Sequence, residues 1–241
     1  MATIANVELA EIVYKLVITA RMSASNEAYK KCLGDLTQLE GFSFSGRDEE
    51  KQITEYRHLV AGKTKCKLQI SPKELAAETL RDGNVEEDSW KKWSENILEI
   101  VAPAMDGSSK DLSVLAMVRE YRFPKIGNNY AFLRDAFFTN SRFHKLLDNL
   151  KLLDTEIMIK SVLDEEVKLF LEITSNQQMD EILGDALDDE DNRITFKFHA
   201  VRLDLKCYLK VVDAMKIQDS KLKAWLEAGK LATILEAFGS K

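Results

Sequence analysis

Apolar residues near the start of the chain recur every third or fourth position. Val7, Leu9, Ala10, Val13, Leu16, Val17 and Ala20 keep this spacing, which predicts an amphipathic helix from Asn6 to Met22. A second helix is expected over Asn26–Leu39, with Ala28, Cys32, Leu33 and Leu36 inward and Gly41 as its stop. Phe42–Gly46 reads as a loop or short extended piece, and Glu49–Val60 as a weaker helix. Lys63–Ile70 breaks the pattern. Cys66, Leu68 and Ile70 alternate with Lys65, Lys67 and Gln69, the signature of a strand. Ser71-Pro72-Lys73-Glu74 then supplies a cap, a first-turn proline and a carboxylate able to reach back, so a helix is expected from Pro72 to about Arg81. The next helix starts near Asp88, carries Trp90, Trp93, Ile97, Leu98 and Val101, and stops before Pro103.

Asp106-Gly107-Ser108-Ser109 reads as a turn and divides the chain into two lobes, residues 1–106 and 107–241. The turn is only a few residues long, so the lobes are expected to pack closely. Leu112, Leu115, Ala116 and Val118 begin another helix. Further helices are expected over Tyr130–Phe138, Phe143–Leu153, Glu156–Ile173 and Gln177–Leu187, with the acidic run Asp188–Asp191 as a loop or helix end. From Ile194 to Met215 two periods compete. ITFKFHAV alternates like a strand, yet Ile194, Phe198, Val201, Leu205, Leu209 and Val212 hold helical spacing, and the length favours a helix. A last amphipathic helix runs from Ser220 to Phe238 and ends at Gly239. No internal repeat of fixed period is visible. The fold expected is all-α, with room for one small β-hairpin: two helical lobes with a helical arm at each end.

Composition agrees with that picture. Three prolines and ten glycines in 241 residues leave long stretches unbroken, and 45% hydrophobic residues can fill a core. No run is long and apolar enough for a membrane-spanning helix, and glutamates interrupt the apolar N-terminus, so no secretory signal and no membrane partner are expected. Cys32, Cys66 and Cys207 are scattered and odd in number, which fits small buried thiols in a reducing, cytoplasmic setting.

Motifs of catalysis are missing from the sequence. His58, His144 and His199 are isolated, so neither HExxH nor HxH occurs. The acidic run fails as a calcium loop: a template started at Asp188 puts Arg193 where glycine is needed and His199 where the bidentate glutamate belongs. There is no GxxxxGK[ST], no GxGxxG and no GxSxG. The reading is therefore a protein that is not an enzyme, with no metal, no cofactor and no catalytic residues.

Charge is segregated. The chain carries a net charge of −6, yet between Arg119 and Lys145 six cations face two carboxylates, Glu120 and Asp135. The cations are Arg119, Arg122, Lys125, Arg134, Arg142 and Lys145. Tyr121, Phe123 and Tyr130 lie on or beside the Pro124–Gly127 loop among them. Cations neutralise phosphates, and exposed rings stack on unpaired bases at about 1–3 kcal/mol each, so a groove for single-stranded RNA is expected here. The competing reading is that the rings fill a core and the arginines pair with acids.

Both terminal helices carry bulky apolar residues. Val13, Leu16 and Val17 on one, and Trp225, Leu226, Ile234 and Phe238 on the other, are candidates for docking on a neighbouring copy, which would build a homo-oligomer. In this layout the chain resembles the helical nucleocapsid and coat proteins of RNA viruses, whose two helical lobes hold RNA between them and carry terminal arms. LATILEAFG is similar to the apolar C-terminal helix ending in Phe-Gly of several segmented negative-strand virus nucleoproteins. The resemblance is one of plan. It implies a capsid-like protein that oligomerises on RNA, in the cytoplasm or in a virion. The alternative is a cytosolic helical adaptor that holds a partner and has no affinity for nucleic acid.

Overall fold

A computed structural model describes residues 3–4, 7–8, 11–22, 27–79, 85–105, 114–123, 155–175, 194–203 and 210–233. Strands dominate it. A small ladder pairs β1 (Thr3–Ile4) with β2 (Val7–Glu8). The main sheet follows: β3 (Glu11–Thr19), β4 (Phe42–Asp48), β5 (Ile53–Val60), β6 (Lys63–Ile70), β7 (Glu74–Thr79), β8 (Val114–Phe123), β9 (Thr155–Val162), β10 (Val167–Ser175) and β11 (Ile194–Leu203). The helices are α1 (Glu27–Gln38), α2 (Glu87–Val101) and α3 (Val211–Trp225). The all-α expectation is thereby overturned: the body of the protein is a nine-stranded antiparallel sheet in the order β4-β5-β6-β7-β3-β8-β11-β10-β9.

The expected N-terminal helix is strand β3. Its residues suit a pleat: Ile12, Val13, Val17, Ile18 and Thr19 are β-branched. Tyr14, Leu16, Ile18, Ala20 and Met22 are buried on one side, and Val13 is buried on the other. With Val13 and Val17 apolar on that opposite face, the strand reads as a nearly continuous apolar run, and such a run mimics helical spacing. β8 hides its alternation more fully, being buried on both faces from Leu115 through Tyr121.

Two further helices become hairpins. Ser71 does act as a cap, but for a turn: its Oγ accepts hydrogen bonds from the Lys73 and Glu74 amides at 3.2 and 3.0 Å, reversing β6 into β7. In place of the helix over Glu156–Ile173, β9 and β10 pair through eight consecutive residues. Asp164 closes that turn, its Oδ1 accepting the Glu166 and Val167 amides at 2.9 Å each. Ile194–Leu203 is strand β11, so its alternation outranked its length. Glu49–Val60 contributes strand β5 rather than a helix. Helices α1 and α2 and strand β6 stand where their patterns placed them.

Helices α1, α2 and α3 cover one face of the sheet. Leu36 of α1 and Trp90, Ile97 and Leu98 of α2 pack on Leu16, Leu68, Ile70 and Leu75, joined by Met215 of α3. A second core gathers Phe123, Ile173, Phe196 and Phe198 under Leu222 and Leu226.

The sheet has two halves of similar plan about the central pair β3–β8, which are antiparallel neighbours. On one side β7, β6 and β5 step outward and α2 follows β7; on the other β11, β10 and β9 step outward and α3 follows β11. The division at residue 106 falls between these halves, yet one sheet crosses it. β4 extends the first half by one more strand, and no described strand takes the matching place beyond β9.

Candidate functional site

Alternation along β8 decides where the basic aromatic segment goes. Odd positions face the helices: Arg119, Tyr121 and Phe123 are all buried there. Even positions face away, so Glu120 and Arg122 lie on the opposite side of the sheet from Arg119. Rings at 121 and 123 pack edge-on against Phe198 and Phe196, with centroids 5.6 and 5.8 Å apart. Lys125, Tyr130, Arg134, Arg142 and Lys145 lie outside the described residues.

Arg119 is 6% exposed and sits where β8, α2 and α3 meet. Its Nη2 donates to Glu87 Oε1 at 3.0 Å and to Asp219 Oδ1 at 2.9 Å. The guanidinium also lies 5.7 Å from the centre of the Tyr14 ring. Lys91 and Lys223 each approach Glu87 Oε1 to 3.2 Å. Burial alone would raise the Glu87 carboxyl, but Arg119, Lys223 and Lys91 outweigh it and hold it down at about 2. Burial pushes the Tyr14 phenol up to about 12. These contacts bind the helices to the central strands, although the buried Arg119 Nε makes no hydrogen bond.

The other face carries a strip of alternating charge. Lys15 stands between Glu78 and Glu120, 3.2 Å from each. Glu120 is 3% exposed and accepts from Arg122 Nε at 2.6 Å. Burial would raise its carboxyl, yet Lys15 and Arg122 bring it below the usual carboxylate range. Further along, Glu172 pairs with Lys197 and lies 3.4 Å from His199 Nε2. Burial lowers the His199 pKa against the pull of Glu172.

Cys32 and Cys66 are buried, and burial pushes both thiols up to about 12, so each stays protonated at neutral pH. Among the described residues no group of three or more His, Cys, Asp or Glu side chains is gathered as for a metal ion. A shallow pocket lies between Tyr29, Lys30, Leu33, Arg47, Gln52, Thr54 and Pro72, but it holds no cluster of titratable groups with displaced pKa values.

The two edges of the sheet differ. β4 is interrupted by a register shift between Phe44 and Gly46 and ends in Arg47 and Asp48. Its exposed Phe44 stacks edge-on over Tyr56, 6.2 Å away. Bulges and charges of this kind keep an edge from recruiting another strand. β9 has no such interruption. Met158 is 50% exposed, Ile159 46% and Val162 67%, so apolar side chains stand free on both faces of the strand. Lys160 is the one basic residue on it, set 6.0 Å from the Phe170 ring of β10.

The residues expected to join copies through terminal helices are placed otherwise. Val13 and Leu16 are buried in β3, and Val17 is half-buried there. Leu226 is buried and Trp225 packs on the second core at the end of α3. Ile234 and Phe238 lie outside the described residues. What the pattern did not single out are Glu87, Asp219 and the β9 edge. A signal for the first two existed: a lone arginine inside the apolar run VLAMVREY needs buried carboxylates from elsewhere.

No protein-family model matches the chain, and no curated protein matches it in sequence. Among the described residues no helix is long and apolar enough to cross a membrane.

Proposed function

We propose that this protein acts by strand addition: it binds an extended segment of a protein partner along β9 and catalyses no reaction. The observation that carries this is β9 itself: among the described residues it is an outer strand, its pairing with β10 is unbroken, and Met158, Ile159 and Val162 are exposed on its two faces, whereas β4 at the other end is bulged. An extended segment laid there would gain main-chain hydrogen bonds from the strand and side-chain contacts with Met158, Ile159 and Val162. Arg119 is buried and tied to Asp219 and Glu87, which takes it away from any outside ligand. RNA binding finds weaker support: of the expected groove, Arg119, Tyr121 and Phe123 lie under the helices.

The test is a peptide array of extended ten-residue segments with alternating apolar positions, probed at nanomolar protein. The protein should retain a subset that an Ile159→Lys, Val162→Lys variant loses. Equal retention by both, or none by either, overturns the proposal. Fluorescent single-stranded RNA titrated at rising salt serves as the counter-test. Salt-dependent binding would favour the RNA reading.

A further inference from the structure

We propose that the pocket between α1 and the β4–β5 end of the sheet binds a small phosphate monoester, its phosphate held by Arg47 and Lys30 and its apolar body laid against Leu33 and Pro72. The pocket lies at the opposite end of the sheet from β9, so this goes beyond strand addition and stands or falls apart from it.

Three observations carry it. The first is how Arg47 reaches the pocket. Along β4, Phe44 pairs with Tyr56 and, past the register shift, Arg47 pairs with Thr54. Tyr56 and Thr54 are two apart on β5, and both are buried on its helix-covered side. The bulge therefore brings Phe44 and Arg47, three apart, to the same side of the sheet. Unbroken alternation would leave Arg47 on the other side with Ser43 and Ser45. Bulges at sheet edges re-aim side chains in this way, often beside a functional site.

The second is the chemistry of the lining. Lys30 of α1 joins Arg47, so every charged group in that lining is a cation. Tyr29 and Thr54 add hydroxyls, and Gln52 adds an amide. A phosphate monoester carries nearly two negative charges at neutral pH and three strong acceptor oxygens, whereas a carboxylate carries one charge and two oxygens. Arginine meets such oxygens with paired N–H donors. Burial and Cys32 push the Tyr29 phenol up to about 12 and Arg47 opposes them, so the guanidinium lies within electrostatic reach of that hydroxyl. Arg47 Nε also lies 3.2 Å from Glu49 Oε1, but that pair is exposed, and exposed pairs are weak enough for a dianion to displace.

The third is Gln52. Its φ of +54° is left-handed, a conformation in which only glycine is unstrained. The turn between β4 and β5 nevertheless holds a long amide side chain there, and that residue lines the pocket. Backbone strain held beside a pocket marks a binding site. The space measures about 450 Å³ with its open mouth, at the small end of ligand sites, which suits a compact ester.

Isothermal titration calorimetry of the full chain with phenyl phosphate tests this. Binding should appear at about 0.1–1 mM. Benzoate and inorganic phosphate should each bind at least about fivefold more weakly, one lacking charge and the other the apolar body. Arg47→Gln and Lys30→Gln should each lower the affinity by about tenfold. Lys63→Gln removes the same charge at the far end of the β5–β6 hairpin and should leave it unchanged. Gln52→Gly should bind about threefold more weakly yet resist urea at least as well, because glycine relieves the strain; a loss of folding would lower both. Absence of heat at millimolar phenyl phosphate, inorganic phosphate binding equally well, or a loss in Lys63→Gln matching that in Arg47→Gln would each overturn the inference. Tighter binding of phosphotyrosine in a capped peptide than of phenyl phosphate would overturn the free ester in favour of a phosphorylated partner.

Discussion

Arg119 and Asp219 lie a hundred residues apart in sequence and 2.9 Å apart in space. That bond ties central strand β8 to helix α3, and the companion bond to Glu87 ties it to α2. A buried charge stripped of its partner is costly, by about 3–5 kcal/mol, whereas replacing both partners by apolar groups is far less so. Arg119→Met should therefore destabilise the protein by about that amount in urea unfolding. Adding Asp219→Leu should recover much of the loss. Similar losses in both variants would mean that packing, not charge, holds the junction.

Gln218, the residue before Asp219, makes a second anchor. It is fully buried, and its Nε2 donates to the Leu115 carbonyl at 3.0 Å and also to that of Ala200. One amide thus pins α3 to both β8 and β11. Gln218→Leu keeps the bulk and leaves two buried carbonyls without that donor, which should cost about 1–3 kcal/mol. The urea m-value should not change, since the same surface is exposed on unfolding.

What the sequence disclosed depended on how each element is covered. Helices α1 and α2 bury one stripe and wet the other, and β6 keeps its lysines on one side, so each shows its own period. β8 is buried on both sides, and β3 carries Val13 and Val17 on the face opposite its buried one, so their apolar runs blur the strand period. β7 is a different case: Ala76 and Ala77 favour helices by propensity, but Ala77 lies against Leu68 in the centre of the sheet. The β9–β10 turn held no glycine or proline to announce it, because Asp164 builds it with a side chain. The basic segment was grouped by nearness along the chain, whereas a strand separates neighbours onto opposite faces.

Gly41 faces a tight limit. Its φ of +78° is left-handed, and a Cβ there would overlap the His58 ring. That ring cannot retreat easily: Trp93 lies over it with centroids 4.2 Å apart, and Phe42 meets it at 5.1 Å. Gly41→Ala should cost roughly 1–2 kcal/mol for the backbone and about 1–3 kcal/mol more for overpacking. In a His58→Ala background only the backbone part should remain. Equal cost in both backgrounds would remove the ring from the explanation.

His58 also sets a pH dependence. Burial lowers its pKa below the ordinary 6.5, despite the charge of Glu40, and its Nδ1 has no hydrogen-bond partner. The folded state therefore prefers the neutral ring. Above the unfolded pKa both states are neutral and the full stability is present. As the pH falls below 6.5 the unfolded chain takes up a proton that the folded chain resists, so stability declines toward the folded pKa. His199 is lowered as well and acts with the same sign, Glu172 opposing burial and Lys197 assisting it. Unfolding free energy measured from pH 7.5 down to 5.5 should fall, and His58→Gln with His199→Gln should flatten that slope. Glu87 governs a lower window: depressed to about 2, it stabilises above its ordinary 4.5 and that contribution drains away between those two values. A slope near neutrality that persists in the double histidine variant would assign it to groups other than these two rings.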